Sequence, residues 1–302
     1  QTFNGTVVNT PNFEFDKPEY RLSSYLGRMN ISVKGKYLFT ASVRQDGSSK
    51  FNPDNRFAVF PSGAVAWKLK EEGLFKNMKS LSDLKLRASY GVTGNQEIPP
   101  KITQALFSSL AASGYPLYNT GAYPAGTTYS RLANPDIQWE TSKQTDIGLD
   151  FGLFKGALTG TIDVFHKVSD NILLQVIPAD PIQPAPEVWN NVKDMTVTNK
   201  GVEFELDYRH VAENGFTYNI GGNITYTKNK VENSPYSVIP AGSVSGAGLT
   251  GQTINGYVNN QPIGTFYMRE YLGIGTNGLS IYRDLDGDNI ITDKDRISAG
   301  SA

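Results

Sequence analysis

The sequence contains no cysteine and only two histidines in 302 residues. Without thiols there is no disulfide framework, no thiolate zinc site and no cysteine nucleophile, and cysteine usage says nothing about redox compartment. Charge of one sign is also lacking: 28 basic residues against 29 acidic ones leave a net charge of -1. That balance excludes the basic footprint of a nucleic-acid partner. No stretch approaches the roughly 18 consecutive apolar residues of a membrane-spanning helix. Helical spans are therefore excluded, whereas a membrane barrel stays open, because its strands dilute their apolar residues by alternation. Gln1-Thr2-Phe3-Asn4-Gly5 carries neither an initiator Met nor a basic stretch followed by an apolar one, and the chain stops after Ala299-Gly300-Ser301-Ala302. The expectation is that both ends are cut.

What is present is period-two patterning. Thr145, Ile147, Leu149, Phe151 and Leu153 share one parity, while Gln144, Asp146, Gly148, Asp150 and Gly152 share the other. Such alternation makes a strand with one apolar face. It recurs over 37–44, 84–93, 157–170, 202–208 and 216–226, and more weakly over 20–33, 57–70 and 264–274, giving about nine strands near the length of a barrel wall. The stretch 71–78 predicts at most one helical turn, since Gly73 interrupts it.

The links between strands alternate strictly. Short ones at 34–36, 71–83, 155–156 and 209–215 are interleaved with long ones at 45–56, 95–138, 171–199 and 230–263, rich in Gly, Pro, Asn and Ser. This asymmetry fits an antiparallel up-and-down transmembrane β-barrel with short periplasmic turns and long extracellular loops. Tyr37, Phe39, Trp67, Phe151, Phe154, Tyr208, Phe216 and Tyr218 cluster near the short links and read as an aromatic girdle at the periplasmic interface. Trp139 reads as an outer-girdle residue. The competing interpretation is that these aromatics form the core of a soluble β-protein.

Several segments resemble the barrel of the SusC/RagA family of TonB-dependent outer-membrane transporters. They are Tyr37-Leu38-Phe39-Thr40-Ala41-Ser42-Val43-Arg44-Gln45-Asp46-Gly47-Ser48-Ser49-Lys50-Phe51 and the run Leu81 to Gln96, followed by Trp139-Glu140-Thr141, Asn199-Lys200-Gly201-Val202-Glu203 and Ile263-Gly264-Thr265-Phe266-Tyr267. The resemblance implies that residues 20–302 are part of a barrel of about twenty-two strands, preceded by a loop remnant over 1–19. It further implies import of glycans or peptides across the cell outer membrane, a SusD-like surface lipoprotein as partner, and drive from TonB. Nothing in the chain resembles the family's plug domain or TonB box, so a part of a transporter, not an enzyme, is expected. The alternative is a soluble calcium-binding β-sandwich that binds carbohydrate or acts as an adhesin.

Three groups of side chains carry candidate chemistry. Asp284, Asp286, Asp288, Thr292 and Asp295, with the carbonyl of Ile290, fall at the spacing of an EF-hand loop and would offer oxygen ligands to Ca²⁺. Asn289 stands where that loop has its Gly and Asp295 where it has its Glu, and an acidic surface turn is the alternative. Glu203, Glu205 and Asp207 share the polar side of one strand, each about 7 Å from the next. That spacing suits an inverting glycosidase pair, but a lumen lining is the simpler reading. Tyr115, Tyr118 and Trp189 lie in long links, where they could contact cargo. His166 and His210 have no nucleophile motif beside them and read as surface or girdle residues.

Overall fold

The computed structural model describes residues 2–3, 6–7, 19–110, 126–176, 188–236, 238–244 and 252–301. Eight long strands, here β1–β8, form one sheet: β1 Leu22–Val33, β2 Tyr37–Ser48, β3 Phe57–Lys68, β4 Leu81–Asn95, β5 Glu140–Leu153, β6 Leu158–Asp170, β7 Thr196–Val211 and β8 Thr217–Glu232. They pair antiparallel in chain order, so the sheet is an up-and-down meander with β1 and β8 at its open edges. Lengths run from 12 residues in β1 to 16 in β8, longer than the alternation predicts because their polar ends continue the ladder.

One expected strand is absent from the wall. Residues 264–274 divide into Thr265–Arg269 and Tyr271–Ile274, which belong to a four-stranded sheet and a two-stranded sheet of their own. Gly264 and Gly273 adopt positive φ, and the break between the two strands falls at Glu270. The local alternation is real there, but the backbone turns away instead of joining β8.

The register aligns like with like. Val33, Tyr37, Trp67, Leu86, Leu149, Ile162, Phe204 and Ile224 make one continuous cross-strand row. One residue over, on the opposite face, runs Ser32, Leu38, Ala66, Arg87, Gly148, Asp163, Glu203 and Thr225. A slip of one residue would exchange the two faces, so this register is strongly specified. Apolar side chains lie exposed along the first face, Ile224 at 68% and Tyr226 at 70%, and no second sheet among the described residues covers them. A soluble sandwich would bury that face against another layer.

The short links are Lys34–Lys36, 69–80, 154–157 and 212–216, all at one end. The second contains a single helical turn, Gly73–Lys76, as the sequence suggests. The predicted girdle aromatics gather on the apolar face along this end. Tyr37 stacks on Trp67 with centroids 6.0 Å apart, and Tyr218 lies 6.2 Å from Tyr208 and 5.1 Å from His210. From the Tyr37–Trp67 row to the His210–Tyr218 row, the girdle slides along the strands as it crosses the sheet. Strands tilted relative to a barrel axis produce such a slide.

At the opposite end the long links fold into structure of their own. Hairpins form from Leu106–Leu110 with Gly126–Arg131 and from Ile172–Val176 with Val188–Val192. Phe51, Phe60, Ile98, Ile102, Ile137, Trp139 and Leu173 make a buried cluster drawn from three successive long links and, through Phe60, from β3. Trp139 is thus not a girdle residue. Its ring lies 5.2 Å from Phe51 and 5.5 Å from Phe60, and its Nε1 donates to the Arg56 carbonyl at 3.0 Å. Pro61 makes this possible: the β3–β4 ladder reaches only Ser62 opposite Gly91, since proline has no N–H to give. The freed Phe60 ring then lies over Gly94, where a β-carbon would come within 2.1 Å of it. A second cluster of Ile172, Val192, Met195, Val197, Val231 and Ile239 joins the third of these links to the ends of β7 and β8 and to the link after β8.

Candidate functional site: the polar face and the long-link end

Charge on the polar face is organised across strands. Arg87 of β4 donates from Nε to Asp150 of β5 at 2.8 Å and from Nη2 to both oxygens of Asp163 of β6, at 3.0 and 3.1 Å. Lys85 adds a second contact to Asp150 at 2.5 Å. Asp146, one row along, accepts from Ser89 and from Gln144. These contacts hold the polar face in a defined arrangement, with one guanidinium serving two carboxylates in the fork geometry that arginine favours.

The acids read from the sequence sit beside that network. Glu203 is directly opposite Asp163 on one side and Thr225 on the other; Glu205 faces Thr161 and Asn223; Asp207 faces Thr159 and Gly221. A β-carbon at Gly221 would stand 2.1 Å from Asp207 Oδ1, so the carboxylate lies across the neighbouring strand. The three acids are therefore successive members of one polar strip along β7.

Of the long-link aromatics, Trp189 is half-buried and packed against the Phe51–Trp139 cluster, and its carbonyl accepts from Asn134 at 2.7 Å. Tyr115 and Tyr118 lie outside the described residues.

The Asp284 loop shows both a turn and a convergence of oxygens. Asp284 caps its own loop, accepting from the amides of Gly287 at 2.7 Å and Asn289 at 2.8 Å, while Asn289 takes the left-handed conformation expected where an EF-hand has Gly. Asp288 turns its carboxylate to the Ile290 amide at 2.7 Å. Thr292 and Asp295 form a reciprocal capping box on the 3₁₀ turn Asp293–Asp295. One carboxylate oxygen each from Asp284, Asp286 and Asp295 lies within 4.8 Å of the others. Asp288 is not in that triplet, and the Ile290 side chain is exposed. Asp295 is fully covered by its own loop, and the amides of Thr292 and Leu285 hold its carboxyl below the usual carboxylate range.

Sequence reading missed the Arg87–Asp150–Asp163 network and the loop core. The available signal for the first was a glycine, Gly148, at a polar-parity position between charged strands. Assigning its neighbours requires the register.

A family profile described as TonB dependent receptor-like, beta-barrel matches residues 1–295. TonB-dependent receptor P3 of Formosa agariphila is 34% identical, over 97% of this chain and 30% of its own length. TonB-dependent receptor SusC of Bacteroides thetaiotaomicron is 37% identical, over 70% of this chain and 21% of its own length. The solved structure of the RagAB peptide transporter superposes with a TM-score of 0.69 at 25% identity, covering 94% of this chain and 29% of that one. The chain therefore spans less than a third of the length of the curated relatives it matches. With a meander of two-faced strands, short links at one end and long ones at the other, this chain belongs to the TonB-dependent receptor-like β-barrel family.

Proposed function

We propose that the chain is a wall segment of an outer-membrane importer of the SusC/RagA type, taking up oligosaccharides or peptides with energy delivered through TonB. The observation that carries this is the eight-stranded meander with an exposed apolar face and a charged opposite face. The apolar face meets lipid and the polar face, including Arg87, Asp163, Glu203, Glu205 and Asp207, lines the lumen. The short links are periplasmic. The long links, packed around Phe51 and Trp139, form part of the extracellular mouth, where Trp189, Tyr115 and Tyr118 are placed to meet cargo and a surface lipoprotein.

Strands with unpaired edges are not stable in hydrocarbon, so the segment works as part of a closed barrel. The test uses the full-length gene in its host. Deletion should abolish growth on one class of oligosaccharide or peptide supplied as sole nutrient, and the protein should fractionate with the outer membrane and run faster on gels when unheated. Recovery in the soluble fraction, or uptake that persists without the gene and without a functioning paralogue, overturns the reading.

The Asp284 loop fits a secondary role within the same proposal, a calcium clip that orders an extracellular link. The convergence of Asp284, Asp286 and Asp295 supports it, since a hard divalent cation takes carboxylate oxygens. Calorimetric titration of Ca²⁺ into the full-length protein should show binding that is lost in Asp286→Asn. Identical isotherms for the two proteins at millimolar calcium would remove the clip and leave an acidic turn.

A further inference from the structure

The short link between β3 and β4 folds back onto the apolar face. Glu72 accepts through Oε1 from the Tyr37 hydroxyl and from Trp67 Nε1, both at 3.2 Å, and through Oε2 from Lys36 Nζ, also at 3.2 Å. Tyr37 and Trp67 stand in the apolar cross-strand row, so this carboxylate ties the link to the lipid side of the wall and not to the lumen side. The helical turn Gly73–Lys76 that follows is closed by Lys70, whose Nζ donates to the carbonyls of Phe75 at 3.0 Å, Lys76 at 3.2 Å and Met78 at 2.9 Å. Held in this way, the turn presents Leu74 at 80% exposure, the highest of any large apolar side chain described. Met78 is exposed in the same link.

The link between β5 and β6 repeats the feature. Phe154 is 62% exposed and takes a φ of 52°, with Lys155 after it at 59°. A bulky residue rarely adopts the left-handed region, and it stays there only where its surroundings impose it. Here the Phe154 amide donates to the Ser80 carbonyl at 2.8 Å, which also joins the two links. All four strands that these links connect are interior to the sheet, so the exposure of Leu74 and Phe154 does not arise from an open edge.

Apolar side chains flanked by lysines, beside aromatics at a membrane boundary, have the composition of segments that lie in the interface: the apolar groups enter the acyl boundary and the ammonium groups stay among the phosphates. Lys76, Lys79 and Lys155 have no carboxylate partner among the described residues, and Glu72 is already taken by Lys36. We infer that the 69–80 and 154–157 links anchor the wall in the periplasmic leaflet of the outer membrane, with Leu74 and Phe154 entering the acyl boundary and Lys76, Lys79 and Lys155 meeting the phosphates of anionic phospholipid. The inference rests on the assignment of the apolar face to lipid and of the short links to the periplasm.

The test uses the full-length protein carrying a single cysteine for an environment-sensitive fluorophore, folded into mixed vesicles of phosphatidylcholine and phosphatidylglycerol. Ile162→Cys on the apolar face and Thr161→Cys on the polar one report the faces first. Nitroxide-labelled lipid should quench the label at 162 and not at 161; failure there overturns the barrel reading and this inference with it. With those controls met, the label in Leu74→Cys should lose its fluorescence to a nitroxide placed high on the acyl chain and be shielded from dissolved iodide. A label at 74 that iodide quenches and lipid nitroxide does not overturns the inference alone, and leaves the link to water or to a periplasmic protein. Nitroxide phosphatidylglycerol should quench the label at 74 more strongly than nitroxide phosphatidylcholine, and K76Q/K79Q/K155Q should erase that preference. Equal quenching by the two lipids before the lysines are changed, or a preference undiminished in the folded triple variant, overturns the assignment of an anionic headgroup.

Discussion

Arg87 and Asp163 are bonded across an intervening strand, because the residue between them in the cross-strand row is Gly148. A β-carbon at Gly148 would lie 2.1 Å from Asp163 Oδ1 and 2.7 Å from Arg87 Nη2. The glycine is there for space, since its backbone is ordinary strand. Wide contacts of this kind let a single guanidinium tie β4, β5 and β6 together on the polar face.

Gly148→Ala should therefore destabilise the folded barrel by about 1–3 kcal/mol, the usual cost of forcing an extra group into a filled site. The urea midpoint of heat-modifiable gel mobility measures it in the full-length protein. In an Asp163→Ala background the same substitution should cost much less, because the nearest obstructing atom is gone. Equal costs in both backgrounds would mean that Gly148 serves some purpose other than the Arg87–Asp163 contact.

The sidedness of the wall gives a paired prediction. Ile162 stands on the apolar face between Leu149 and Phe204, and its chain neighbour Thr161 on the polar one. Ile162→Lys should cost about 2–4 kcal/mol, as in the middle of a bilayer, and Thr161→Lys close to nothing. Refolding into lipid vesicles followed by urea titration compares them directly; a reversed order would exchange the lumen and lipid faces.

Trp139 anchors the long-link core, with its indole between Phe51 and Phe60 and its N–H satisfied by Arg56. Trp139→Ala should remove about 3–5 kcal/mol of local packing. The wall ladder does not depend on that ring, so the loss should appear as protease cleavage within 96–139 or 49–56 while gel mobility of the barrel is kept.

Asp295 makes the Asp284 loop sensitive to acid. The amides of Thr292 and Leu285 stabilise its ionised form, so its folded-state value lies below that of the unfolded chain. Stability from a depressed carboxyl is present above the unfolded value, near pH 4, and is lost as pH falls through the folded value. Amide exchange over 284–296 should accelerate as pH falls below about 4, after correction for intrinsic rates, and Asp295→Asn should show the faster exchange already at neutral pH.

Period two in the sequence was enough to mark every strand of the wall and, for all but the first and third, which side is apolar, because side chains alternate faces on any extended chain. The spacing of Gly, Pro and Asn marked the short and long links, and with them the two ends of the sheet. What lies in those long links was not legible, and neither was the fate of 264–274. There the alternation is the same, but positive-φ glycines and packing around Thr265 carry the segment into a separate sheet. The aromatic Trp139 reads identically whether it meets lipid or a loop core, and only the packing of three links against it decided between them. The acid triplet of Asp284, Asp286 and Asp295 was half visible: spacing indicated the loop, whereas the turning of Asp288 toward Ile290 depends on its backbone conformation. The absence of cysteine and scarcity of histidine excluded thiol chemistry from the start, but the row in which Arg87, Gly148 and Asp163 meet brings together residues up to 76 positions apart. Register couples such residues, and register is a property of the assembled sheet.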